Sequence, residues 1–238
     1  MTLVATRYRR GTLSAMFKSA RLGSQLALVC AGLLAACGSS ESADLSSADI
    51  ARVKDVRSSF GPQFKVTEVA PTGIDPRLLG RPTLPEGMKF DPADCGSFAT
   101  AQVLPDGVKG NMAATTAEGD GNRFIVIAVE TSEPVPVNRP ADNCERVGFA
   151  GGGMRGLVEV VESPQIEGAE TMGSHRLLQT IVNGKPGAGE IYNYIASFGT
   201  FLVIVTANPL VLPDKPVAPV DTQRARDLLV SAVGAVKG

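Results

Sequence analysis

The stretch Leu22–Ala36, LGSQLALVCAGLLAA, carries no charge over 15 residues and runs directly into Cys37. It constrains the chain more than any other feature, because it decides on which side of a membrane the rest must fold. A spanning helix needs about 20 apolar residues. The run therefore has the length of a signal peptide's apolar segment and is short for a permanent anchor. Arg7, Arg9, Arg10, Lys18 and Arg21 precede it with no acidic residue among them, and such a positive flank stays cytoplasmic. The run closes as Leu34-Ala35-Ala36-Cys37, followed by Gly38-Ser39-Ser40. A leucine, two small residues and a cysteine form a bacterial lipobox. The small residues admit a peptidase to the backbone, and the thiol receives the lipid. Acyl chains on Cys37 would hold the chain at the membrane, each buried CH₂ contributing about 0.8 kcal/mol. The expected organisation is a signal peptide over 1–36, a small and polar tether over 37–47, and one extracytoplasmic domain over 48–238. Met16 opens an equally compact signal and is an alternative start.

The formal net charge of -1 hides the balance of the processed chain. Five of the 23 basic residues lie before Cys37 and all 24 acidic residues after it, which leaves 18 against 24 and a net charge of -6. That balance argues against nucleic acid as a partner. It also gives no support to a polybasic attachment to anionic lipid. After Cys37 no stretch is long and apolar enough to span a membrane. The remaining length suits one domain with a sizeable core. With no Trp and few aromatics, that core must be filled by Val, Ile, Leu and Ala. Cys30 lies in the signal, so Cys95 and Cys144 are the only cysteines of the processed chain besides Cys37. In an oxidising compartment such a pair reads as a disulfide. Two free thiols or a metal pair are the alternatives. A single His in the chain makes a cysteine–histidine zinc site a poor fit, and no metal or cofactor is expected.

Apolar periodicity outlines the domain. Ile50, Val53, Val56 and Phe60 make a stripe at three- and four-residue spacing, predicting a helix capped by Ser46 or Ser47 and stopped at Gly61-Pro62. Phe64–Ala70 reads as a short strand. Residues 71–92 are rich in Pro and Gly and predict a long irregular segment, with one turn at Arg77-Leu78-Leu79. Asp91-Pro92 predicts a short helix, with Asp91 as cap, that presents Cys95. Asn111–Ala117 and Arg123–Thr131 flank a hairpin turn at Asp120-Gly121-Asn122. Residues 138–149 carry Cys144 and allow a short helix. Arg155–Glu162, His175–Val182, Glu190–Ser197 and Phe201–Ala207 predict further strands, the last two joined at SFGT. Asp221–Val236 predicts a C-terminal helix that buries Ala225, Leu228, Leu229, Ala232, Val233 and Val236. The expected class is α+β: a mainly antiparallel sheet packed against N-terminal and C-terminal helices in two layers.

Residues capable of chemistry are sparse. His175 is the sole histidine, so any serine triad would have to use it. Ser174 beside it would point to the opposite face of a strand, and no Gly-x-Ser-x-Gly elbow is present. A hydrogen-bonded or surface histidine is the better reading. Gly151-Gly152-Gly153 precedes a strand rather than following one, and reads as a turn rather than a phosphate loop. Glu118–Asn122 holds too few carboxylates for a calcium loop. Tyr192 and Tyr194 share one strand face. They either line a ligand groove or pack under a helix, and packing is favoured.

A lipobox, a leading helix after Ser-Ser-Ala-Asp, one cysteine in DPADCGSFA, a second in DNCERVGF, then strands and a final helix resemble the actinobacterial, mainly mycobacterial, lipoproteins of the DUF5642 type. The layout is also similar to the extracellular sensor domain of the receptor kinase PknH. The resemblance covers residues 45–236. It implies an extracytoplasmic binding or sensing module with an antiparallel sheet, flanking helices and a disulfide. That sensor has two disulfides, whereas this processed chain can form only one. The expectation is a non-catalytic module on the extracytoplasmic face of the cell membrane that binds a hydrophobic ligand or an envelope protein. An envelope hydrolase with a carboxylate site, or a purely structural envelope protein, is the alternative.

Overall fold

A computed structural model describes residues 44–75, 79, 87–100, 102, 104–182, 184–213 and 215–238. Cys37, the start of the tether and most of the turn expected at Arg77-Leu78-Leu79 lie outside the described residues.

Alternating strands separated by two-residue turns can pair only with their neighbours, and the middle of the chain does so. β3 (Gly110–Gly119) turns into β4 (Asn122–Thr131). β5 (Arg146–Gly151) turns into β6 (Met154–Val161), and β8 (Lys185–Phe198) into β9 (Phe201–Pro209). β7 (Glu170–Val182) pairs with β8 along its whole length. The turns carry the backbone that strand twist demands. Asp120 and Gly121 have φ of 50° and 74°, and Gly199 opens the β8–β9 turn at 56°. With β1 (Lys65–Gly73) and the short β2 (Lys89–Asp91), the result is one nine-stranded antiparallel sheet in the order β1-β3-β4-β9-β8-β7-β6-β5-β2. The edges are blunted against further pairing. β1 carries Pro71 at a shift in its register against β3, and β2 spans three residues.

The predicted N-terminal helix forms, as a 3₁₀ helix over Ile50–Ser59. Ile50, Val53 and Val56 recur every third residue, which is the 3₁₀ period, and all three are buried against the sheet. Its cap is Asp49, whose Oδ1 accepts from Ala51 N at 2.8 Å, and not Ser46 or Ser47. Ser47 instead donates to the carbonyl of Lys237 at 3.1 Å, at the end of the C-terminal helix (Thr222–Lys237). That helix is capped by Asp221, which accepts from Arg224 N at 2.9 Å, and it buries the six residues its spacing predicts. Asn122, itself buried, donates to the carbonyls of Asp120 and Pro219 and accepts from Asp221 N. It thereby fixes the start of the helix to the β3–β4 turn.

Both helices lie on one face of the sheet, over Phe124, Val126, Tyr194, Val203 and Val205. The expected α+β class holds. The opposite face is not bare, however. The chain leaves β1 at one edge of the sheet and enters β2 at the other. It must return to reach β3, and it crosses again between β4 and β5. These irregular crossings place Leu79, Phe98, Leu104, Val135 and Val137 against Met112, Ile127, Ile195 and Ile204, forming a second core. Two local expectations fail here. Asp91 ends β2, and Pro92 takes the cap position of the turn Ala93–Cys95 that leads into the helix Gly96–Ala99. Residues 138–149 hold no helix; the segment passes through a turn into β5. Cys95 and Cys144 are buried and bonded, with Cα atoms 5.3 Å apart, so the disulfide joins two of the crossings.

Candidate functional site

The two tyrosines separate. Tyr194 is 1% exposed and packs in the core beneath the C-terminal helix, where among the described residues it lines none of the cavities. Burial raises its phenol pKa, opposed by hydrogen bonding and charge from Arg226. Tyr192 is half-buried on the same face and stacks on His175 with centroids 4.2 Å apart. Burial raises its phenol pKa too, and the nearby Glu190 carboxylate adds to the shift.

His175 is a buried, fully bonded residue. Its Nδ1 lies 3.0 Å from Glu159 and its Nε2 3.0 Å from Glu190. Register puts Glu159, His175 and Tyr192 in one row across β6, β7 and β8. Both ring nitrogens are thus engaged by carboxylates, and none of these residues lines a described cavity. Ser174 faces the other side of the sheet, as strand alternation requires, so no serine–histidine pair is built.

What Ser174 faces is the candidate site. A partly enclosed cavity of about 120 Å³ lies between β6–β9 and the irregular cover. Phe98, Ile127, Met172 and Ile195 supply much of its apolar wall. Ser174, Asn193 and Thr206 form a polar row across it, being cross-strand partners on β7, β8 and β9. Thr206 Oγ1 donates to Asn193 Oδ1 at 2.8 Å, which leaves the Asn193 amide nitrogen as the donor end of that pair. Arg176, two residues beyond Ser174 on the same face, also lines the cavity. Its guanidinium lies 5.8 Å from the centroid of Phe149, and burial lowers its pKa. Among the described residues no carboxylate lines this cavity, and none forms an ion pair with Arg176.

Gly156 makes this arrangement possible. A Cβ there would collide with the Phe149 ring and the Leu177 carbonyl, so only glycine lets the ring lie across β6. A wider open groove of about 720 Å³ runs between the tips of the β5–β6 and β7–β8 hairpins. Its arginine, Arg155, is already bonded to Gln179 at 2.7 Å.

Sequence reading missed Arg176. The signal was present: it shares strand parity with Met172 and Leu178, so it is a charge on an inward apolar face. The disulfide reading of Cys95 and Cys144 agrees with the fold, and the lipid site Cys37 lies outside the described residues.

Comparison with known proteins gives few relatives. No curated protein matches the chain. An X-ray structure of an uncharacterised Mycobacterium smegmatis protein, the Rv0999 ortholog, is 64% identical. It covers 82% of this chain and 100% of its own, with a TM-score of 0.77. The extracellular domain of PknH from Mycobacterium tuberculosis is 13% identical, over 78% of this chain and 92% of that one, with a TM-score of 0.35. Residues 49–237 match the family described as Domain of unknown function (DUF5642), and the chain belongs to that family.

Proposed function

We propose that this chain is a non-catalytic binding lipoprotein, held on the extracytoplasmic face of the cell membrane by lipid on Cys37, with the cavity behind β6–β9 as its ligand site. The observation that carries this reading is that cavity: an apolar wall with a few convergent polar groups, walled by crossings that a disulfide ties together. The Leu34-Ala35-Ala36-Cys37 motif supports the anchor. The disulfide fits a domain that folds in an oxidising compartment. A carboxylate hydrolase has less support, because Glu159 and Glu190 are bonded to His175 and lie on the sheet face away from the cavity. Native mass spectrometry of the protein extracted from membranes tests the reading. The expected spectrum carries diacyl or triacyl mass on Cys37 and a retained small adduct that Cys37→Ser does not remove. A protein without acyl mass refutes the anchor, and a protein without adduct at any ligand load refutes the binding site.

A further inference from the structure

Resting on that binding reading, we infer that the cavity takes a small carboxylate with a short apolar body, and that Arg176 is the residue that recognises its charge. Arginine is rarely buried without a partner, because a desolvated cation needs a counter-charge. Arg176 is half-buried, yet among the described residues it has no hydrogen-bond or ion-pair partner, only the Phe149 ring. Two of the protein's other half-buried arginines have carboxylate partners: Arg123 has Glu118 at 2.7 Å and Arg224 has Asp221 at 3.3 Å. Nothing in the sequence is short of acids, since the processed chain carries an excess of them. Their absence from the described wall of this one cavity leaves a positive, donor-rich pocket. Arg176 presents a planar fork, and the Ser174 hydroxyl and the Asn193 amide can also donate. A fork of N–H groups matches the two oxygens of a carboxylate.

Size narrows the choice. A dry cavity of about 150 Å³ accommodates a benzene-sized body, and the present one is about 120 Å³. Methyl-bearing walls from Met172, Ile195, Ile204 and Val158 suit a tail of a few carbons. The assigned class is therefore a short-chain carboxylate, or the carboxylate end of a longer chain whose remainder leaves through the open side.

Isothermal titration of the full-length mature protein in non-ionic detergent tests this with butyrate, 1-butanol, inorganic phosphate and decanoate. Wild-type protein should bind butyrate at least tenfold more tightly than butanol. Arg176→Met should remove that preference, and Arg176→Lys should retain part of it. Thermal melts of both variants check that they fold. Decanoate binding more tightly than butyrate, with the same dependence on Arg176, identifies the carboxylate end of a longer chain; equal or weaker decanoate binding identifies a short free acid. Butyrate and butanol binding alike, phosphate binding more tightly than butyrate, or Arg176→Met leaving butyrate unchanged overturns the assignment, while the cavity remains a binding site. If none of the four probes binds, both the assignment and the binding reading fall.

Discussion

At the scale of single residues, Glu159, His175 and Glu190 form one bonded group on the sheet. A neutral imidazole offers one donor and one acceptor, and a carboxylate anion only accepts. His175 is held between Glu159 and Glu190, so both of its ring nitrogens are engaged. His175→Ala should destabilise the domain by about 1–2 kcal/mol, since both carboxylates retain some access to water; an unchanged urea midpoint would contradict this role. Gly156→Ala should cost about 1–3 kcal/mol by overpacking against the Phe149 ring, read in the same urea titration. The tyrosines give a pH signature. Of the three in the sequence, Tyr192 and Tyr194 lie within the folded domain. Both have raised folded-state values, chiefly through burial. Their contribution to stability is complete below the ordinary phenol value of about 10 and fades as pH rises through the folded values. Phenolate absorbance at alkaline pH should lag that of a free tyrosine peptide, then rise together with unfolding. Titration coincident with the free peptide would show the rings to be solvated.

At the scale of elements, the C-terminal helix was legible and the long hairpins only in part. The helix announces itself through an Asp cap and six apolar residues on one stripe, both local signals. Asp221→Ala should cost about 1 kcal/mol, and Leu229→Ala about 2–5 kcal/mol because the site is completely buried; thermal melts compare the two directly. The β7–β8 hairpin runs well beyond the segments that alternation marks, from Glu170 to Phe198. Its outer part is largely exposed on both faces, so hydrophobic alternation is weak there. The Asn-Gly pair at 183–184 was the better signal for it, with Gly184 at φ 75°. β5 escaped because Gly148, Ala150 and Gly151 dilute its pattern, although Val147 and Phe149 alternate inward.

At the scale of the whole molecule, the Cys95–Cys144 bond fastens the irregular cover to itself across 49 residues of separation. Loop-closure entropy puts its contribution at about 3–4 kcal/mol in the chain-entropy model. Reduction, or Cys95→Ser with Cys144→Ser, should lower the urea midpoint accordingly and expose the cavity side first. Hydrogen exchange would then show Val135, Val137 and Phe98 losing protection before Val203 and Val205 on the central strand; uniform loss would contradict a separable cover. The sequence alone determined what depends on local order: the apolar run ending at Cys37, the helix stripes, most of the hairpin turns, and the α+β class that follows. The tertiary structure decided what depends on distant segments meeting. β1 and β2 stand at opposite edges of the sheet, so the chain must cross one face three times, and no local pattern encodes that route. It is those crossings that close a cavity over Ser174, Arg176 and Asn193.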